Sequence, residues 1–109
     1  MPCPVLLTED AAEDLQELYA YIARHDSLGK ADYVLEQIEK KLVSLSELPE
    51  RGVCPQELQS LGIRDYREIF FKPYRIIYRV YDKSIYVYLI VDGRRDMQTL
   101  LQRRLLGVL

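Results

Sequence analysis

At 109 residues, 49% hydrophobic and 10% aromatic, the chain can close one compact core but is too short for two ordinary domains, so a single domain over 1–109 is expected. The net charge of −2 hides a division: residues 1–63 carry five Lys/Arg against twelve Asp/Glu (net −7), and residues 64–109 carry ten against five (net +5). Apolar runs such as IYVYLIV (85–91) fall far short of the roughly 20 residues a bilayer-crossing helix needs, which excludes a membrane partner, while the charge split points to an acidic partner or nucleic acid at the C-terminal half.

The opening MPCPVLLTED has no basic segment ahead of a long apolar stretch and does not read as a secretory leader, so a cytoplasmic location is expected. Pro4 to Leu7 suits an edge strand. Thr8 followed by Glu9 and Asp10 reads as a helix start, a capping hydroxyl with acids in the first turn. Ala12, Leu15, Leu18, Tyr19 and Ile22 then recur at helical spacing, with Glu13, Gln16, Glu17 and Arg24 on the other face. His25 falls at the helix end, where a cation suits the dipole. Residues 26–29 break the pattern, and a second helix follows on Ala31, Val34, Leu35, Ile38, Leu42 and Leu45 until Leu48-Pro49 ends it. Two amphipathic helices with a short break predict an antiparallel helical hairpin.

The loop LPERGVCPQELQSLGI (48–63) is rich in turn residues and shows no period. Cys3 and Cys54 form no CxxC pair and have no histidine beside them, so they read as reduced, small apolar residues. Beyond the loop, 64–71, 74–81 and 85–91 are rich in aromatic and β-branched residues and are separated by hairpin-length turns, which predicts a three-stranded antiparallel meander. Alternation in the middle strand sets Tyr74, Ile76, Tyr78 and Val80 against the helical hairpin and turns Arg75, Ile77, Arg79 and Tyr81 outward. Asp92-Gly93 turns the chain, and Asp96 caps a last helix on Met97, Leu100, Leu101, Leu105 and Val108. The expected fold is α+β: an N-terminal edge strand, the helical hairpin on one face of an antiparallel sheet of the meander plus that first strand, and a short C-terminal helix.

Arg103 and Arg104 lie near the end of that helix, where the dipole favours cations whatever the function. Arg94 and Arg95 precede it, where the dipole disfavours them, so they read as kept for a contact. Together with Arg75 and Arg79 they form a candidate cationic rim, with Lys72, Arg67 and Lys83 at nearby turns and strand ends. Guanidinium forks suit phosphate or carboxylate recognition because they donate paired hydrogen bonds and stay charged. Six tyrosines between Tyr66 and Tyr88 add possible stacking surfaces. Proton-transfer chemistry is poorly served, because arginine does not readily exchange its proton and the basic half has no histidine. No Ser/His/Asp set, P-loop, paired-carboxylate site or metal-ligand cluster is visible, and no cofactor or metal is expected.

The short strand, the helical hairpin, the Pro-Glu-Arg-Gly loop (Pro49 to Gly52), YRIIYRV, IYVYLIVDGRRDM and the closing helix together resemble the RelE/ParE superfamily of type II toxin-antitoxin toxins, over essentially the whole chain. The resemblance implies a cytoplasmic toxin neutralised by a small antitoxin whose acidic or amphipathic tail wraps it. RelE-like members cleave messenger RNA on the ribosome with basic sheet residues, an arginine after the last strand and commonly a tyrosine in the last helix. Arg75 and Arg95 match those two arginines, and Lys72 would be the further basic residue of a ribonuclease site. Leu101, with Leu100 beside it, holds the approximate place of the tyrosine. The GRRDM turn followed by LL and RLL is more similar to the ParE branch, whose members poison DNA gyrase and are not themselves enzymes. On that reading Arg75, Arg79, Arg94 and Arg95 engage gyrase or its bound DNA, and Leu15, Tyr19, Ile22, Leu101 and Leu105 meet a ParD-like antitoxin. The alternatives are a ribosome-dependent endoribonuclease and a degenerate member that only binds antitoxin.

Overall fold

The computed structural model of the chain describes residues 2–107; Val108, expected as an apolar position of the last helix, lies outside them. The elements run β1 (Val5–Leu7), α1 (Glu9–His25), α2 (Leu28–Glu47), α3 (Gln56–Gln59), β2 (Arg67–Phe71), β3 (Tyr74–Tyr81), β4 (Ser84–Asp92) and α4 (Met97–Leu106). No helix among the described residues is long and apolar enough to cross a membrane.

Local chemistry sets the helix ends. Thr8 accepts the Ala11 N–H at 3.1 Å, Ser27 accepts that of Lys30 at 3.0 Å, and Asp96 accepts that of Thr99 at 3.2 Å, so α1, α2 and α4 each start on a side chain that satisfies an orphan donor. The stripes read from spacing form the core: Ala31, Val34, Ile38, Leu42 and Leu45 of α2 and Ile22 of α1 are buried, Leu15, Leu18 and Tyr19 pack on them half-buried, and Ala11 rather than the expected Ala12 is the buried alanine of α1. They close on Ile69, Ile76, Tyr78, Ile85, Val87 and Ile90 of the sheet.

The sheet has the order β1-β4-β3-β2. The meander is antiparallel as expected, and its second turn holds Asp82 and Lys83 at φ of 51° and 64°, the left-handed pair that a two-residue hairpin of matching twist requires. The first strand corrects the expectation of an all-antiparallel sheet, because Val5, Leu6 and Leu7 pair in parallel with Ile85, Tyr86 and Val87. The α1–α2 hairpin lies between β1 and the meander in the chain and brings β1 back to the edge beside β4 in the same direction.

A bulge decides which faces are covered. Ile77 pairs with Leu89 but Tyr78 pairs with Val87, which leaves Tyr88 as an extra residue of β4. The inward phase of IYVYLIV therefore shifts: Ile85, Val87 and Ile90 face the helical hairpin, whereas Leu89 and Val91 face the other way. That second face is not bare, as expected, but carries its own core. Leu58 of α3 and Met97, Leu100 and Leu101 of α4 pack there on Ile77, Leu89 and Val91.

The 48–63 loop is more ordered than its composition implied. Tyr78 passes beneath it; its hydroxyl accepts the Gly52 N–H at 2.9 Å and donates to the Pro49 carbonyl at 2.8 Å. A Cβ on Gly52 would fall 2.6 Å from that hydroxyl and 2.7 Å from the Glu68 carbonyl, so only glycine fits. Val53 then pairs with Glu68 on the outer edge of β2, and Pro55 leads into α3.

At the other edge, β1 ends opposite Val87 and leaves the rest of β4 without a strand partner. Side chains fill the gap. Asp14 of α1 accepts the Ile90 N–H at 3.2 Å, and Arg104 donates to the Tyr88 carbonyl at 3.0 Å and to both Asp14 oxygens at 3.1 and 3.0 Å. The pair is largely buried, at 18% and 10% side-chain exposure. Arg104, read from sequence as a dipole cation, is thus the clamp that joins α4 to α1 and β4. Burial opposes its charge, but the Asp14 carboxylate, with Asp10 and Glu17 adding their fields, offsets this and the guanidinium is held protonated.

Asp14→Ala should therefore cost about 3–5 kcal/mol, the scale of a buried ion pair broken from one side. Tyr78→Phe should cost about 1–3 kcal/mol through the stranded Gly52 N–H and Pro49 carbonyl. Urea unfolding measures both, with the slope of the transition unchanged for Tyr78→Phe.

Candidate functional site

The four arginines expected to share one rim occupy three different settings. Arg75 leaves β3 on the α3/α4 side and is 11% exposed, not turned to solvent as alternation alone implied. Its Nη1 and Nη2 donate to Glu57 Oε2 and Oε1 of α3, both at 2.8 Å, and its Nε donates to Glu68 Oε1 of β2 at 2.7 Å. Gly93 makes room for this arrangement: a Cβ there would lie 2.6 Å from Arg75 Cδ. The Glu57 fork holds the Arg75 guanidinium firmly protonated, and Arg75 in turn lowers the Glu57 carboxyl below its ordinary range. Glu68 is shifted the other way, because its burial outweighs the same arginine. At 6% against 24% exposure, Glu68 is the more deeply desolvated of the two carboxylates, which accounts for the opposite signs.

Arg94 and Arg95 stand on the turn between β4 and α4. Asp92 accepts from the Arg94 backbone N–H at 2.9 Å and pairs with its Nη2 at 2.6 Å, so Arg94 also closes the turn. Its side chain is nevertheless 76% exposed. Arg94 holds the Asp92 carboxyl below its ordinary range, and the field of exposed Arg95 adds to the effect. Both arginines border a cleft of about 500 Å³ between α1 and β4, floored by Leu18, Ile22 and Ile90 and flanked by Tyr21 and Tyr74. Burial, with Asp92 nearby, raises the Tyr74 phenol above its usual value.

Arg79 lies further along β3, on the order of 13 Å from Arg75 at the rise of an extended strand. It is flanked by the rings of Tyr66 and Tyr81. Lys72 is exposed at the first hairpin turn.

The expected antitoxin contacts are core residues to different degrees. Leu101 is buried and offers no surface in this state, and Ile22 is buried except where it reaches the floor of the cleft between α1 and β4; Leu15 and Tyr19 are half-buried against α2, and Leu105 packs half-buried beside the α4 cluster. Glu57, Glu68 and Asp14, carboxylates that set the behaviour of the arginines, escaped the sequence reading, and Asp92 was read only as a turn residue. Glu68 left a trace as a charge inside an apolar strand run; Glu57 left none, because its loop has no period. Among the described residues no group of three or more His, Cys, Asp or Glu side chains is arranged to hold a metal ion.

Helical hairpin, mixed four-stranded sheet and clamped C-terminal helix together define a small α+β toxin fold of the RelE/ParE type. Residues 5–97 match the family described as the ParE toxin of the type II toxin-antitoxin system parDE, and the chain belongs to that family. It is 24% identical to toxin ParE3 of Caulobacter vibrioides over 100 residues, 92% of this chain and 96% of the relative. Among solved structures, the chromosomal ParDE system of P. aeruginosa superposes with a TM-score of 0.69 at 19% identity, covering 83% of this chain and 95% of that one. An arginine-substituted mutant of E. coli toxin RelE in the free state gives 0.65 at 20% identity with both chains fully covered. The RelBE2 toxin-antitoxin complex of Mycobacterium tuberculosis gives 0.61 at 20% identity, covering 84% of this chain and 99% of that one.

The Arg75 cage has a pH signature. A carboxyl lowered on folding contributes stability above its unfolded pKa and loses it as pH falls through the lower folded value, so Glu57 stabilises at neutral pH and ceases to do so in acid. Glu57→Gln should accordingly be less stable than the wild type at neutral pH, and the gap should narrow on acidification. Urea unfolding of both proteins between neutral pH and pH about 3 checks the sign, and a gap that widened in acid would contradict it.

Proposed function

We propose that this chain is a ParE-type toxin that inhibits DNA gyrase, acts in the cytoplasm and is held inactive by a cognate ParD-like antitoxin. The observation that carries the reading is the caged state of Arg75. To meet a phosphodiester this guanidinium would have to leave two carboxylates, one of them almost wholly buried, at the cost of stranding both charges. The basic half has no histidine to exchange a proton near neutrality, and Leu101, in the approximate place of the RelE-like tyrosine, is buried in the α4 cluster. Binding chemistry is better supported: Arg94 and Arg95 border an open cleft, and Arg79 stands apart among tyrosines.

An antitoxin has two apolar seats on the side of the helical hairpin. One is the Leu18, Ile22, Tyr21 and Tyr74 cleft; the other, about 430 Å³, lies between β1 and α2 and is lined by Pro4, Val5, Leu42 and Val43. Toxin-antitoxin systems among the similar solved structures support such a partner.

Purified toxin added to gyrase and relaxed plasmid should block supercoiling and accumulate cleaved DNA, while primer extension on translated mRNA shows no new ends. Arg94→Glu/Arg95→Glu should raise the half-inhibitory concentration about tenfold or more, a loss of about 1.4 kcal/mol per decade. Site-specific mRNA cuts with unaffected gyrase would instead mean a ribosome-dependent endoribonuclease using Arg75, Arg95 and Lys72. Unchanged growth after charge reversal at Arg75 and Arg95 would mean a member that only binds antitoxin.

A further inference from the structure

The α3/α4 side of the sheet is covered over only part of its area, and strand register sets what the rest displays. Leu6 of β1 lies opposite Tyr86 of β4, and Tyr86 lies opposite Arg79 of β3. Tyr66, one residue ahead of β2, continues the row: the Arg79 guanidinium carbon is 6.0 Å from its ring and 5.4 Å from the Tyr81 ring. Tyr66 in turn meets Tyr88 edge to face at 5.5 Å between centroids. Leu6 and Tyr81 are 46% and 60% exposed.

Arg79 differs from Arg75, Arg94 and Arg104, each of which has a carboxylate within salt-bridge distance. Among the described residues no Asp or Glu side chain pairs with Arg79, and its neighbours are rings. Stacking shields the faces of a guanidinium from water and leaves its in-plane N–H donors available, so an incoming anion would find a pre-positioned, partly desolvated fork. One guanidinium suits one anion. Tracking a nucleic-acid backbone takes several cations along a groove together with ring faces free for bases, whereas here the rings pack on Arg79 and edge to face on one another. Tyrosine and arginine around a small apolar residue is instead the composition of an energetic centre in a protein interface.

We propose that Arg79, Tyr66, Tyr81, Tyr86 and Leu6 form the surface on which this toxin docks its target protein, Arg79 taking a carboxylate side chain that the target presents among apolar neighbours. The surface faces away from the hairpin-side seats assigned to the antitoxin, so this contact, unlike that of Arg94 and Arg95 at the cleft, is separable from antitoxin binding. The inference rests on the reading of the chain as a toxin, but not on gyrase being its target.

The test uses the full chain carrying Arg79→Glu and, separately, Tyr81→Ala, whose exposed ring can be removed without opening a core. Induced expression in bacteria reads engagement of any target, antitoxin affinity reads folding and the other face, and binding of a single-stranded oligonucleotide reads nucleic acid. Arg79→Glu should raise survival on induction by about 30-fold or more, the scale of an interface hot spot, and Tyr81→Ala should do so in part, with antitoxin Kd changed less than about twofold. Full growth arrest by Arg79→Glu would overturn the proposal. So would parallel loss of antitoxin binding, Arg79-dependent oligonucleotide binding, or a wild-type chain that arrests no growth and so has no target to dock. Arg79-dependent arrest by a wild-type chain that leaves gyrase supercoiling intact would keep this surface and remove gyrase as its target.

Discussion

Half of one strand edge governs how this molecule is assembled. Beyond Val87, β4 has no neighbour on its outer side, and backbone groups held against the body of the protein must find partners or carry a desolvation penalty. Asp14 and Arg104 supply them, one from the first helix and one from the last, and each neutralises the other's charge while doing so. The same contact fixes where α4 ends. With the position of α4 fixed, Met97, Leu100 and Leu101 cover the Leu89 and Val91 side chains that the bulge has turned to that face. Bulge, clamp and second core are mutually dependent: Leu89 and Val91 without α4 would be an apolar patch on open sheet, and α4 without Arg104 would lose its tie to α1.

Charge along the chain is then sorted by burial. Arg75 and Arg104 spend their hydrogen-bonding capacity inside the fold, where carboxylates on other elements enclose them. Arg94 closes a turn and still reaches solvent, while Arg79 is half-buried between the rings of Tyr66 and Tyr81. The net +5 of the C-terminal half is therefore a poor measure of the charge available to a partner. On the proposed reading, a toxin of this build meets its target with a few well-separated cations set among aromatic rings, which favours discrimination between protein surfaces over the diffuse attraction that a basic stripe exerts on nucleic acid.

Side-chain periodicity survives folding because it follows from backbone geometry: positions three and four apart share a helix face, and alternate positions share a sheet face. For that reason the α1 and α2 stripes, the three meander strands, the caps Thr8 and Asp96 and the hairpin face of β3 were legible from the residues, and so was the resemblance to the RelE/ParE superfamily that the ParE family match supports. Arg79 and the Arg94–Arg95 turn were legible as candidates because positive charge on an outward strand phase, or ahead of a helix, lacks a local explanation.

Tertiary structure alone decided the rest, because ion pairing and strand direction depend on residues remote in sequence. Arg75 is separated from Glu57 by eighteen positions, and Arg104 from Asp14 by ninety, so no local pattern announces either pair. A three-residue strand carries no local signal of its direction, and β1 runs parallel to β4 because of where the hairpin returns the chain. One unpaired tyrosine, Tyr88, shifts the phase of β4 and creates the second core that buries Leu101. The sequence by itself determined the elements, the helical-hairpin core and the toxin family; which arginines remain free to touch a partner was decided by the carboxylates that folding brought to the others.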